Sequence, residues 1–99
     1  MQLYAILRRN GWRDGDELGV AAQRSTAEGD KTPDDVRWIR SYVLAEQDGT
    51  VGTVCIYQAS SPEAIRDHAR RAALPVDEIV EIADTVVVRP DPVPAEAAS

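Results

Sequence analysis

Val36-Arg37-Trp38-Ile39-Arg40-Ser41-Tyr42-Val43-Leu44-Ala45-Glu46, then Gln47-Asp48-Gly49-Thr50, then Val51-Gly52-Thr53-Val54-Cys55-Ile56-Tyr57-Gln58, is the stretch on which the fold turns. β-Branched and aromatic side chains dominate both runs, and these residue types suit a pleated, half-buried surface. Asp48-Gly49 between them supplies turn chemistry, because glycine tolerates positive φ. The segment therefore predicts a hairpin of two antiparallel strands, at 36–46 and 51–58.

Working outward from the hairpin, each flank carries a helix and then a strand. Upstream, Asp30 to Asp35 with Pro33 is a polar connector, and residues 16–28 before it read as a helix. Asp14 or Asp16 can cap its N-terminus, Glu17 favours the first turn, and Gly29 is placed to end it. Leu18, Ala21, Ala22 and Ser25 share one narrow face of small side chains, which permits close approach to a sheet. Residues 3–8 form a short apolar strand that Asn10-Gly11 is expected to end. Downstream, Ser61 is a natural N-cap with Pro62 at the first helical position, and Ser60 with Glu63 offers a capping box one residue out of step. Ala64, Ile65, His68, Ala69 and Ala72 fall on one helical face, the charged residues lie opposite, and Pro75 stops the helix. A last strand covers 79–82. Thr85-Val86-Val87-Val88 reads as a further strand, either a continuation past a bulge or a short fifth strand. Pro90, Pro92 and Pro94 mark 90–99 as a disordered, proline-rich tail.

The order strand, helix, strand, strand, helix, strand is a βαββαβ unit over residues 1–89. Right-handed crossovers and a central hairpin give an α+β, ferredoxin-like domain, with a four-stranded antiparallel sheet and both helices on one face. Two helices cover only one face of a sheet. Yet strand 2 alternates Trp38, Tyr42 and Leu44 with Ile39, Val43 and Ala45, and strand 3 alternates Val51, Cys55 and Tyr57 with Val54 and Ile56. Apolar groups on both faces predict a homodimer that buries the second one.

Composition narrows the function classes. Ninety-nine residues support one core. A formal net charge of −6 disfavours nucleic acid, whose binding starts with phosphate neutralisation. One cysteine excludes an intramolecular disulfide and a cysteine-rich zinc site. The N-terminal residues do not resemble a signal peptide, and no apolar run reaches the length of about 18 residues that a membrane helix needs. The expected location is the cytoplasm, with no membrane partner. Strand 3 lacks the aromatic and basic signature of RNA-recognition domains, and no Walker or Rossmann glycine pattern occurs.

Few residues are candidates for chemistry. His68, the single histidine, sits mid-face on the second helix. It reads either as a buried histidine with one satisfied hydrogen bond or as a metal ligand or general base. One histidine per chain needs carboxylates, water or a second chain to complete a transition-metal site. Glu81 and Asp84, in and beside the last strand, are candidate carboxylate ligands, with surface exposure as the plain alternative. Cys55 reads first as an inert buried thiol. Trp38, Arg40 and Tyr42 are expected along one strand face, where an arginine between aromatics suits either an anionic ligand or cation–π packing. With Cys55 and Tyr57 they are candidate cavity-lining residues.

Three segments carry a resemblance: Val36 to Val43, Val54-Cys55-Ile56-Tyr57-Gln58-Ala59, and Pro62-Glu63-Ala64-Ile65-Arg66-Asp67-His68-Ala69-Arg70-Arg71-Ala72-Ala73-Leu74-Pro75. They are similar to a bacterial family of small proteins, long filed as a domain of unknown function, that includes an actinobacterial nickel-binding member. The resemblance runs over most of 1–89. It implies a ferredoxin-like dimer and Ni(II) binding, with His68 the first position carried over as a ligand. The functional expectation is thus a metal-binding dimer using His68 with oxygen ligands such as Glu81, Asp84 or Asp67, with enzymatic activity left open. A cofactor-free enzyme of the dimeric α/β-barrel type and a protein-interaction module are the alternatives.

Overall fold

The hairpin forms where the sequence places it. A computed structural model describes residues 1–92, comprising β1 (Gln2–Trp12), α1 (Gly15–Gly29), β2 (Val36–Ala45), β3 (Val51–Ala59), α2 (Pro62–Ala72) and β4 (Glu78–Glu81). The sheet order is β2-β3-β1-β4 with every neighbouring pair antiparallel. Each helix crosses over one intervening strand, which is the split βαβ arrangement of the ferredoxin-like fold. The tail expected at 90–99 falls mainly on residues 93–99, outside the described residues.

Both helices start on the expected chemistry. Asp14, not Asp16, caps α1 by accepting the Glu17 N–H at 2.9 Å. Ser61 caps α2 by accepting the Ala64 N–H at 3.1 Å, with Pro62 at the first position. At the other end of α2, Leu74 N–H donates to Ala69 O (2.8 Å) and Ala73 N–H to Arg70 O (3.2 Å). This Schellman pattern puts a left-handed residue at the first position past the helix, and here it is Ala73 at φ 55°. Gly29 does not end α1; it lies in the last turn and Asp30 caps it.

Two irregularities alter the expected faces. Trp38 pairs with Tyr57 and Arg40 with Ile56, so Ile39 is an extra residue, a β-bulge. The bulge shifts the side-chain phase of β2 by one. Trp38 therefore faces the helices alongside Ser41 and Val43, while Arg40, Tyr42 and Leu44 face the other way. The expectation that Trp38, Arg40 and Tyr42 share one face is corrected by this one residue. The second irregularity lies between Arg8 and Trp12. Asn10 adopts φ 51° and its N–H donates to the Glu46 carboxylate at 2.7 Å. Asn10-Gly11 thus kinks β1 without ending it, and Trp12 returns to the inner face opposite Val51.

The core lies between helices and sheet, with Tyr4, Ile6, Val36, Cys55, Tyr57, Ala59 and Ile65 at its centre. On the opposite, open face Leu3, Leu7, Leu44, Val54 and Ile56 are half-buried and Tyr42 and Val80 exposed. The Thr85–Val88 run is not a strand. Ile82 N–H to Leu3 O (2.9 Å) continues the β4 ladder by one bond. The chain then leaves the sheet, and Val86, Val87 and Val88 are 75–85% exposed. It passes to the far edge, where the Asp91 carboxylate accepts from Arg40 at 2.6 Å and from the Tyr42 hydroxyl at 2.7 Å. Among the described residues no helix is long and apolar enough to cross a membrane.

Candidate functional site

The period of two in β1 and β3 builds the inner wall. Tyr4, Ile6 and Arg8 alternate toward the helices and lie opposite Tyr57, Cys55 and Thr53. α1 lowers Ser25 onto this wall through its small-residue face, and α2 lowers His68 onto it. Ser25 Oγ lies 2.9 Å from the Tyr57 hydroxyl and 3.1 Å from His68 Nε2. Trp38 stacks on Tyr57 at 6.2 Å between centroids, and His68 meets the Tyr57 ring edge-on at 5.7 Å. The result is a buried chain Tyr57–Ser25–His68 that ties both helices to β3.

Electrostatics in this layer run positive. Arg8 is 1% exposed, donating Nη1–H to Pro75 O at 2.6 Å, while Nη2 has no hydrogen-bond partner. No described carboxylate forms an ion pair with it. His68 is likewise 1% exposed, and its Nδ1 is buried without a partner. Burial, and then repulsion from Arg71 and Arg8, hold the His68 pKa below its ordinary value, with Glu28 opposing. Burial pushes Tyr57 up, so the phenol keeps its proton. A neutral histidine beside a serine hydroxyl is the pairing a nucleophile–base couple uses, but that couple needs a third group to orient the base. With Nδ1 unpartnered, no third group among the described residues orients the His68 ring.

The structure gathers only some of the sequence candidates. Trp38, Cys55, Tyr57 and His68 share the inner layer. No hydrogen bond joins Cys55 to His68; its thiol donates to Thr53 Oγ1 at 3.3 Å. Arg40 and Tyr42 meet Asp91 on the open side, although Arg40 also borders a cavity described below. Glu81 and Asp84 are exposed at the β4 end. Glu81 pairs with Tyr4, which pairs with Tyr57. It therefore stands two strand spacings, about 10 Å, from the tyrosine that His68 touches. His68, Glu81 and Asp84 are not brought together, and the described residues hold no group of three His, Cys, Asp or Glu able to hold a metal. Sequence reading passed over Arg8 and did not single out Ser25 as a polar group. The available signals were an arginine in phase with Tyr4 and Ile6, and a serine at the end of α1's packed face.

A cavity of about 440 Å³ separates α1 from the β2 side of the inner wall. Arg8, Trp12, Leu18, Trp38 and Tyr57 are among its lining. A smaller one, about 300 Å³, reaches His68 past Gly29.

The profile of one known family, described as nickel responsive protein SCO4226-like, matches residues 4–82. The chain belongs to that family. It is also similar to a solved structure titled crystal structure analysis of SCO4226 from Streptomyces coelicolor A3(2), with a TM-score of 0.66 and 22% identity, over 85% of this chain and 99% of that one. That likeness supports the ferredoxin-like fold. No curated protein sequence matches this chain.

Proposed function

We propose that the protein binds Ni(II) as a homodimer, with the ion held between chains by exposed carboxylates and water. Membership of a nickel responsive family, matched over residues 4–82, carries the reading. Geometry shapes it, because one described chain gathers no three-ligand group. A second copy is then the natural source of the missing ligands. The open sheet face, with Tyr42 and Val80 exposed above half-buried aliphatic residues, supplies an apolar surface for such a partner.

Glu81 and Asp84 are the carboxylates offered as ligands, being exposed at the end of the edge strand β4, with Glu81 on the helix side in register with Tyr4 and its neighbour Val80 on the open face. His68 serves packing instead, since its Nε2 faces Ser25 and its Nδ1 is shut from solvent. Titration calorimetry of chelator-treated protein with Ni²⁺, alongside light scattering for mass, tests this. Expected are one ion per two chains, weaker binding in Glu81→Gln/Asp84→Asn, and binding close to wild type in a folded His68→Gln. Loss of nickel in His68→Gln with native circular dichroism would sink the carboxylate assignment, and full affinity in a monomeric variant such as Ile56→Glu would sink the shared site.

A further inference from the structure

The buried arginine of β1 lies outside the proposed nickel site and is poorly provided for by the fold. Removing a guanidinium from water costs stability unless a partner ion and hydrogen bonds replace the lost hydration. Arg8 has one carbonyl acceptor, an unpartnered Nη2 and no described carboxylate paired with it. The cavity beside it contains no acidic residue in its lining, and its walls are mostly apolar and aromatic, led by Trp12, Leu18, Trp38 and Tyr57. A volume of about 440 Å³ is in the range, roughly 300–1,000 Å³, of sites for small organic ligands.

We infer that this cavity binds a small organic carboxylate, its apolar or aromatic body between α1 and Trp38 and its carboxylate against the Arg8 guanidinium. A carboxylate matches the guanidinium fork through charge-assisted N–H bonds. Thr53, directly opposite Arg8, and Ser25 and Tyr57 offer hydroxyls along the same wall. His68 adds no second charge, since its own burial keeps it neutral. Selectivity follows from the lining: a neutral analogue of the same shape leaves Arg8 unpaired, and a small inorganic anion leaves the apolar walls unfilled.

The experiment sets benzoate, phenylacetate, indole-3-acetate and octanoate against their primary amides and inorganic phosphate, read by calorimetry and by NMR shifts of the Trp12 and Trp38 indole N–H signals. At least one carboxylate should saturate, shift both indoles and bind at least tenfold tighter than its amide. Arg8→Met should abolish that preference while raising the thermal midpoint of the ligand-free protein, because it removes an unpaired buried charge. Should Arg8→Met fail to fold, Ala22→Phe, which fills the cavity from α1 and keeps Arg8, should lose binding instead. Saturation by none of the four carboxylates, equal binding of acid and amide, binding of phosphate alone, or unchanged affinity in a folded Arg8→Met or Ala22→Phe would each overturn the inference.

Discussion

Replacing Ser25 with alanine should destabilise the protein far more than the loss of one exposed hydroxyl would. Ser25 Oγ is the partner of both the Tyr57 hydroxyl at 2.9 Å and His68 Nε2 at 3.1 Å, so its removal leaves two buried polar groups without it. Each such group costs about 1–3 kcal/mol. Alanine returns about 0.5 kcal/mol through its higher helix propensity. The net expectation is a loss of about 2–3 kcal/mol, from the lower part of that range because a water can enter in place of the oxygen. For a domain of this size that corresponds to a fall of about 10–20 °C in Tm. Urea titration followed by tryptophan fluorescence suits the test, since Trp38 stacks on Tyr57 and reports on this layer. Thr26→Ala is the control: its exposed hydroxyl donates to Ala22 O one turn back, and the change should stay within about 0.5 kcal/mol. Equal losses in the two variants would refute the idea that Ser25 ties the helices to the sheet.

Three further outcomes follow from the same structure. His68 has a folded pKa below its ordinary value of 6.5, so the native state binds fewer protons than the unfolded one in that window. Stability should be full above about pH 6.5 and decline as pH falls toward the folded pKa, with a slope up to about 1.4 kcal/mol per pH unit, and His68→Gln should remove that slope. Glu17, Glu46 and Asp48, whose pKa values are lowered by Arg13, by Arg9 and by Thr50, lose their contributions only at lower pH, below 4.5 and 3.8. Gly52→Ala would set its Cβ 2.5 Å from Arg8 O and 2.8 Å from a Glu46 carboxylate oxygen. Overpacking against a backbone atom costs about 1–3 kcal/mol, read as a lower urea midpoint. Ala73→Gly should raise Tm by several degrees, because it relieves a left-handed alanine at φ 55° worth about 1 kcal/mol.

Much of the fold was legible because local chemistry and patterning agree. Ser61 and Pro62 announce α2, Asp48-Gly49 announces the hairpin, and β-branched runs mark the strands. What escaped the sequence was phase and long-range pairing. Nothing in Trp38-Ile39-Arg40 marks Ile39 as the extra residue, yet it decides that Trp38 turns to the helix side and stacks on Tyr57 while Tyr42 meets Asp91. Asn10-Gly11 carries turn residues, but the Glu46 carboxylate from the neighbouring hairpin holds the kink inside a continuing strand. Thr85–Val88 has strand propensity and no edge to pair with once the chain turns away after Ile82. At the site, His68 was rightly placed on the inner face of α2. Its partner Ser25 lies 43 residues away, and the bond between them depends on how α1 packs, which no spacing reveals. Arg8 was hidden by habit: an arginine ending an apolar run is usually solvated, and only its period-two phase with Tyr4 and Ile6 placed it inside.

X-ray absorption at the nickel K-edge, on protein loaded with Ni²⁺ after chelator treatment, tests the central proposal most directly. Histidine ligands give outer-shell scattering from the imidazole ring, and His68 is the sequence's single histidine. Carboxylate and water ligation should give a shell of oxygen donors with no imidazole contribution, unchanged in His68→Gln. Imidazole scattering that disappears in His68→Gln would contradict it and make the buried histidine of α2 the nickel ligand.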